Sequence, residues 1–279
     1  MLIDHFMEPD PSIIRLVIAD LDGTLIDREE RFASETLEAI LRLPEQGVML
    51  SLASGRGAFS VLGYAARLKV RVPVIAHNGS MILSPQGEVL FENLLTAPVL
   101  RKVLGLIPPG SAIFGVFPDH VIFDVGRDER MKLLRAWGHD RYEHRPGWTA
   151  SPAEAMPMLH LVGEKDEVEA IQRRLAEVPE VTPRVYPSGR TPWHHLEIRM
   201  GADDKGSALA WIMAHLGLRP EEVLAVGDWL NDIPMFERAG LSVAMPESLP
   251  EVRDRATFIA PASVRDGGVG RFLSRFLSG

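Results

Sequence analysis

The apolar positions of this chain fall into two kinds of run. Ile13–Asp20 is short, rich in β-branched residues and broken only by Arg15 before its final aspartate. That is the pattern of a strand buried on both faces of a parallel sheet. Val48–Ala53 and Glu222–Val226 repeat it, and Pro73–Ala76 is a shorter version. Other stretches carry apolar residues at helical spacing. One covers about Ser34–Leu43, with Ser34 as the candidate N-cap and Leu37, Ile40 and Leu41 on one face. Others cover about Ala58–Leu68 and Lys205–Leu216. Strand, helix, strand, helix, strand in this order predicts an α/β sheet with right-handed crossovers.

The pattern changes in the middle of the chain. Met81–Leu83 and Val89–Phe91 flank Ser84-Pro85-Gln86-Gly87, a hairpin signal. From Thr96 to Pro192 the runs shorten and turn residues crowd in, as at Pro108-Pro109-Gly110, Pro146-Gly147 and Pro187-Ser188-Gly189. Helices are predicted over about Ala97–Leu106, Asp128–Trp137 and Asp166–Val178. Strands are predicted at Ala112–Phe117, Val121–Val125, Met158–Val162 and Arg184–Pro187. This stretch reads as a second α/β domain, residues 93–192, inserted into a first one made of 1–92 plus 193–279. The first pattern then resumes, with strand-like His195–Arg199, Leu241–Ala244 and Thr257–Ala260, and a closing helix from Gly267 to Ser274.

Composition narrows the function classes. A length of 279 residues fits two domains at roughly 150 residues each. The chain has no cysteine, which excludes a disulfide framework, a thiolate zinc site and a cysteine nucleophile. Any metal must be held by oxygen or imidazole. The net charge is −8 and no long basic run occurs, so nucleic acid is not an expected partner. No apolar run reaches the roughly 18 residues of a bilayer span. The first residues, with Asp4, Glu8 and Asp10, are unlike a secretory signal, so a cytoplasmic protein is expected.

Three of the predicted strands end in polar turns: Asp20-Leu21-Asp22-Gly23-Thr24, Ser54-Gly55-Arg56 and Gly227-Asp228-Trp229-Leu230-Asn231-Asp232. Open α/β sheets bind ligands outside the carboxyl ends of their strands. A carboxyl two residues after another projects to the same side of an extended backbone, which pairs Asp20 with Asp22. By itself Lys205 reads as a solvated helix start. Arg56 reads as a surface or salt-bridge residue. His194 and His195, adjacent in a strand, should point to opposite faces, which argues against a metal pair.

These turns, together with Asp204-Lys205-Gly206, resemble the four ordered motifs of the haloacid dehalogenase (HAD) superfamily. The long insert between the second and third motifs is similar to the cap of the Cof-like sugar-phosphate phosphatases, and His77-Asn78-Gly79 and Asp266-Gly267-Gly268-Val269 fit the same subgroup. The resemblance implies an α/β fold with a Rossmann-like parallel-sheet core and a smaller inserted α/β cap. It implies a Mg²⁺-dependent phosphatase acting on a small phosphorylated metabolite, with sugar phosphates foremost. Asp20 would be the nucleophile and Asp22 the general acid and base. Asp20, Asp228 and the backbone carbonyl of Asp22 would hold the metal, with Asp232 bound directly or through water. Ser54, the backbone N–H of Gly55 and Lys205 would hold the phosphoryl oxygens. Asn231 would orient Lys205 or the phosphate, and Asn78 would contact phosphate or substrate.

Two positions depart from the family pattern. The second motif has Ser54 in place of the usual threonine, and the fourth places the bulky pair Trp229-Leu230 between its aspartate and asparagine. Asp22 also supports a phosphoryl-transferring mutase on the same core, although the large insert at this position leans towards a phosphatase. A non-catalytic phospho-accepting or ligand-binding protein is a third reading.

Overall fold

A computed structural model describes residues 10–124, 141–188 and 191–277. The helix predicted over Asp128–Trp137 lies outside the described residues. In chain order the strands are β1 Leu16–Ala19, β2 Met49–Leu52, β3 Val74–Ala76, β4 Met81–Leu83, β5 Val89–Glu92, β6 Ala112–Val116, β7 Val121–Phe123, β8 Tyr142–His144, β9 Met158–Gly163, β10 Val181–Pro187, β11 His194–Met200, β12 Val223–Gly227, β13 Leu241–Ala244 and β14 Phe258–Ile259. The chain divides into two compact units, one of Met1–Ser51 with Met213–Gly279 and one of Leu52–Ile212.

The first unit carries a five-stranded sheet in the order β14-β13-β12-β1-β2. The pairings of β1 with β12, β12 with β13, and β13 with β14 are all parallel. All residues of β1 and β12 are buried, as their unbroken apolar runs require. The helix Ser34–Arg42 buries Thr36, Ala39 and Ile40, and Leu43 follows on the same face. This corrects the expected face: Leu41 is exposed, and Ala33, not Ser34, is the N-cap residue. The positions 36, 39, 40 and 43 keep the three-and-four spacing of one helical stripe, with Thr36 and Ala39 in place of larger residues. The small residues there suit the approach of the closing helix Gly268–Phe276. A β-carbon on Gly270 would lie 2.2 Å from the carbonyl oxygen of Glu35.

The second unit carries a six-stranded sheet ordered β10-β11-β9-β6-β7-β8 and a three-stranded antiparallel sheet ordered β3-β4-β5. β3, expected in the core sheet, is a strand of this smaller sheet, and Ile75 also bridges Ala53 in parallel. The sequence pattern places the return to the core at residue 193, whereas β11 pairs with β9 and β10 in the six-stranded sheet. Side chains alternate across that sheet. Leu159, Leu161, Leu196 and Ile198 enter the larger apolar cluster, which also takes in Leu100 and Val103 from the helix Ala97–Leu106 and Ile171 and Leu175 from the helix Lys165–Leu175. Met158 and Val162 face the other way, with Phe114 and Val121. His195, Glu197 and Arg199 are out of phase with Leu196 and Ile198 along β11, which puts all three on that opposite face.

The architecture is therefore α/β, with a Rossmann-like core of parallel strands, mixed topology over the whole chain, and a smaller inserted α/β cap. Among the described residues no helix is long and apolar enough to cross a membrane.

Candidate active site

In the first unit the chain leaves β1 at Asp20, whose N–H donates to the carbonyl of Val226 at 2.9 Å and whose side chain is buried. The turn that follows is closed by the carbonyl of Leu21, which accepts from the N–H groups of Leu25 and Ile26, both at 2.9 Å. Gly23 sits at φ 82°, a conformation that glycine adopts without steric cost. The half-buried Asp22 precedes it and bridges Ile26.

β12 ends at Gly227, and Asp228 begins the next turn. The buried Asp232 closes this turn on itself: its Oδ2 accepts from the N–H of Asp228 at 2.9 Å and of Trp229 at 3.0 Å. Gly227 is needed for that closure, since a β-carbon there would lie 2.4 Å from Asp232 Cγ. Thr24, fully buried, donates its hydroxyl to Asp228 Oδ1 at 3.2 Å. Asn231 is half-buried in the one-turn 3-10 helix Leu230–Asp232, and Trp229 and Leu230 are half-buried beside it.

Asp20, Asp228 and Asp232 each bring a carboxylate oxygen within 4.8 Å of the others. Two unit charges at that separation repel by about 3.5 kcal/mol at an effective dielectric constant of about 20. Such a cluster can hold a divalent cation. The three ligand atoms are all oxygen, which favours a hard ion of the magnesium or calcium type.

The second unit carries the remaining predicted residues. Ser54 is buried, its N–H donates to Ile75, and its Oγ accepts from the N–H of Arg56 at 3.1 Å. Gly55 lies against Asn78, where an added β-carbon would come within 3.0–3.3 Å of the side-chain amide. Arg56 is only 3% exposed, not a surface residue. Its guanidinium donates to Ser60 Oγ and lies 5.3 Å from the Tyr64 ring centroid. Asn78, buried, donates its side-chain amide to Glu197.

Lys205 is 0% exposed, so the solvated helix start read from the sequence is corrected. It opens the helix Lys205–Leu216 directly after Asp204. Asp204 Oδ1 accepts from the N–H of Ser207 and Asp204 N–H donates to Ser207 Oγ, both at 2.9 Å, a reciprocal cap that fixes where the helix begins. Arg184 of β10 donates to Asp204 Oδ2 at 3.0 Å. His195 stands 3.2 Å from the buried His160, ring nitrogen to ring nitrogen. Burial, aided by the charge of His194, pushes its imidazole down to about 3.

Sequence reasoning missed Glu197 and Arg199 as neighbours of these loops. The available signal was the alternation in Leu196-Glu197-Ile198-Arg199, which sets two charged residues on one face of a strand just before the third motif.

A family model of the haloacid dehalogenase-like hydrolases matches residues 17–273. The chain belongs to that family, in its Cof-like subgroup, and is an enzyme of the HAD phosphatase type with an aspartate-centred site. It is 27% identical to a 5-amino-6-(5-phospho-D-ribitylamino)uracil phosphatase of Bacillus subtilis, over 98% of this chain and 100% of that one. It is 27% identical to an HMP-PP phosphatase of Cronobacter sakazakii, over 85% of this chain and 86% of the relative. A crystal structure of a haloacid dehalogenase-like hydrolase from Bacteroides thetaiotaomicron superposes with a TM-score of 0.79 at 25% identity, covering 94% of this chain and 99% of that one.

Proposed function

We propose that this protein is a Mg²⁺-dependent phosphomonoester hydrolase that acts on small phosphorylated metabolites, sugar phosphates among them, through an aspartyl-phosphate on Asp20. The observation that carries the reading is the cluster of Asp20, Asp228 and Asp232 carboxylates within 4.8 Å, in the turns that follow β1 and β12. The Bacillus relative is named for removing phosphate from a small phosphorylated ribityl compound, which supports the substrate class.

In the proposed reaction an Asp20 carboxylate oxygen attacks phosphorus and the bond to the ester oxygen breaks. The Asp22 carboxyl gives its proton to that leaving oxygen. Water then attacks the phosphorus of the aspartyl-phosphate and passes a proton to Asp22. The bond from phosphorus to the Asp20 oxygen breaks, which restores both carboxyl groups and frees inorganic phosphate. Ser54, the Gly55 N–H and Lys205 are assigned to the phosphoryl oxygens, and Asn231 to orienting Lys205 or the phosphate. Mg²⁺ held by Asp20, Asp228, the Asp22 carbonyl and Asp232 would offset the negative charge of carboxylates and phosphate. The insert read from the sequence as 93–192, with β11 completing its six-stranded sheet, is assigned the choice of substrate, and the sequence on either side of it is the proposed core. The proposed setting is the cytoplasm.

The test is phosphate release by the purified protein over a broad panel of phosphate esters. Release is expected with Mg²⁺, is lost in EDTA and returns when Mg²⁺ is restored. No release from any ester would sink the reading, and an isomeric ester in place of free phosphate would indicate a mutase.

A further inference from the structure

The loop between β3 and β4 is held in an unusual shape. His77, Asn78 and Gly79 have φ of 49°, 54° and 105°, three successive residues in the left-handed half of conformational space. For His77 and Asn78 this carries a steric cost, and such residues persist only where their surroundings over-determine them. Part of the support comes from the Ser54-Gly55-Arg56 turn. The N–H of Asn78 donates to the Ser54 carbonyl and the N–H of His77 to the Arg56 carbonyl, both at 3.0 Å. The two loops are thus bonded to each other.

The rest of the support comes from β11. Asn78 Nδ2 donates to Glu197 Oε2 at 2.8 Å and to Oε1 at 3.0 Å. Arg199, 1% exposed, donates to the backbone carbonyl of Asn78. Glu197 and Arg199 stand on one face of the strand, with Arg199 Nε 4.0 Å from Glu197 Oε2. A carboxylate only accepts hydrogen bonds, so Glu197 dictates which way the Asn78 amide is turned. The turned amide then packs against Gly55, where even a β-carbon would press on it.

We propose that Glu197 and Arg199 are positioning residues for phosphoryl transfer. They latch Asn78, and through it they hold the Ser54-Gly55-Arg56 turn that the phosphatase reading assigns to the phosphoryl oxygens. This rests on that reading. It also gives Asn78 the part of a latch, with its amide nitrogen engaged by Glu197, in place of the phosphate contact expected from the sequence. A displacement of about 1 Å in a phosphate-binding group costs up to about 10²-fold in rate, so a residue acting through two loops can matter this much.

A charge-conserving swap tests it. Asn78→Asp sets two carboxylates against each other, and Glu197→Gln removes the acceptor charge. Together the two changes restore a donor–acceptor pair of reversed polarity with unchanged net charge. The expected result is a loss of about 10²-fold in kcat/KM for Asn78→Asp, with recovery of about tenfold or more when Glu197→Gln is added. A double variant no more active than Asn78→Asp would overturn the proposal, because direct donation from Asn78 to phosphate cannot be rescued from Glu197. If Asn78→Asp does not fold, Glu197→Ala decides. Its kcat is expected to fall about tenfold with near-UV circular dichroism unchanged, and an unchanged kcat in the folded variant overturns the proposal. Wild-type protein that releases no phosphate overturns the phosphatase reading and this inference with it. An active wild type with no rescue overturns only the inference.

Discussion

Gly23 lies directly against Asp228: a β-carbon on Gly23 would fall 2.3 Å from Asp228 Oδ2. The glycine between the first motif's acidic pair and Thr24 therefore makes room for a carboxylate more than two hundred residues away in sequence. Gly23→Ala adds that carbon at a φ of 82°, where an alanine is strained in any case. The expected outcome is a stability loss of about 1–3 kcal/mol and a fall in activity of about 10²-fold, as Asp228 is displaced from the cluster. Thermal unfolding and phosphate release on one preparation check both.

Thr24 bonds the other oxygen of the same carboxylate. Its hydroxyl donates to Asp228 Oδ1 from a fully buried position. Thr24→Val keeps the volume and removes the donor. Groups that orient metal ligands in this way typically account for about 10–100-fold in metal affinity. The Mg²⁺ concentration for half-maximal activity should rise by a factor in that range, with activity at saturating Mg²⁺ reduced much less. An unchanged Mg²⁺ dependence would separate Thr24 from the metal site.

The closing helix tests the packing of the first unit. Gly270 stands where any side chain would meet the backbone of Glu35 and Thr36, at 2.2 to 2.5 Å. Backbone cannot yield as a side-chain tip can. Gly270→Ala is expected to cost about 1–3 kcal/mol, read as a lowered thermal midpoint, with kcat at low temperature near that of the wild type.

His195 makes stability depend on pH. Its imidazole is held down to about 3 in the fold by burial, against an ordinary value of 6.5. Between those values the unfolded chain takes up a proton that the folded chain does not. Stability from this group is complete above pH 6.5 and is lost as pH falls toward 3, by up to about 1.4 kcal/mol per pH unit. Asp27, held down to about 2 mainly by the backbone N–H of Arg31, acts with the same sign but only below its ordinary 3.8. Glu35, Glu143, Glu180 and Glu222, also held below their ordinary 4.5, act with the same sign near and below that value, so the window from pH 6.5 to 5 reads chiefly the histidine. The thermal midpoint should fall across it, and His195→Gln should flatten the slope.

The parts of this molecule that the sequence made legible are those written as local pattern. β1 and β12 are apolar runs that end in acidic turns, and neither a helix nor a surface loop suits such a run. The helix Lys205–Leu216 was readable end to end, because Asp204 caps it and its residues are mostly apolar, Ala208, Leu209, Ile212 and Met213 being buried. What was not legible depended on partners distant in the chain. β8, Tyr142–His144, is three polar or aromatic residues that become a strand only by pairing with β7. Leu41 is exposed while Thr36 is buried because Gly270 brings the closing helix onto the Thr36 side. Arg56 and Lys205 look like surface charges in sequence, and only the fold buries them. Glu197 needed Asn78, a contact across 119 positions of chain, before it could be seen as part of the loop architecture.

The proposed reaction turns on Asp20 as the carrier of the phosphoryl group. The most direct measurement is mass spectrometry of the peptide containing Asp20, from enzyme quenched in acid during turnover of a phosphate ester. One added phosphoryl group is expected on Asp20 in the wild type. Neither the adduct nor turnover is expected in a folded Asp20→Asn variant. A phosphoryl group on any other residue, or undiminished turnover by Asp20→Asn, would contradict this role of Asp20.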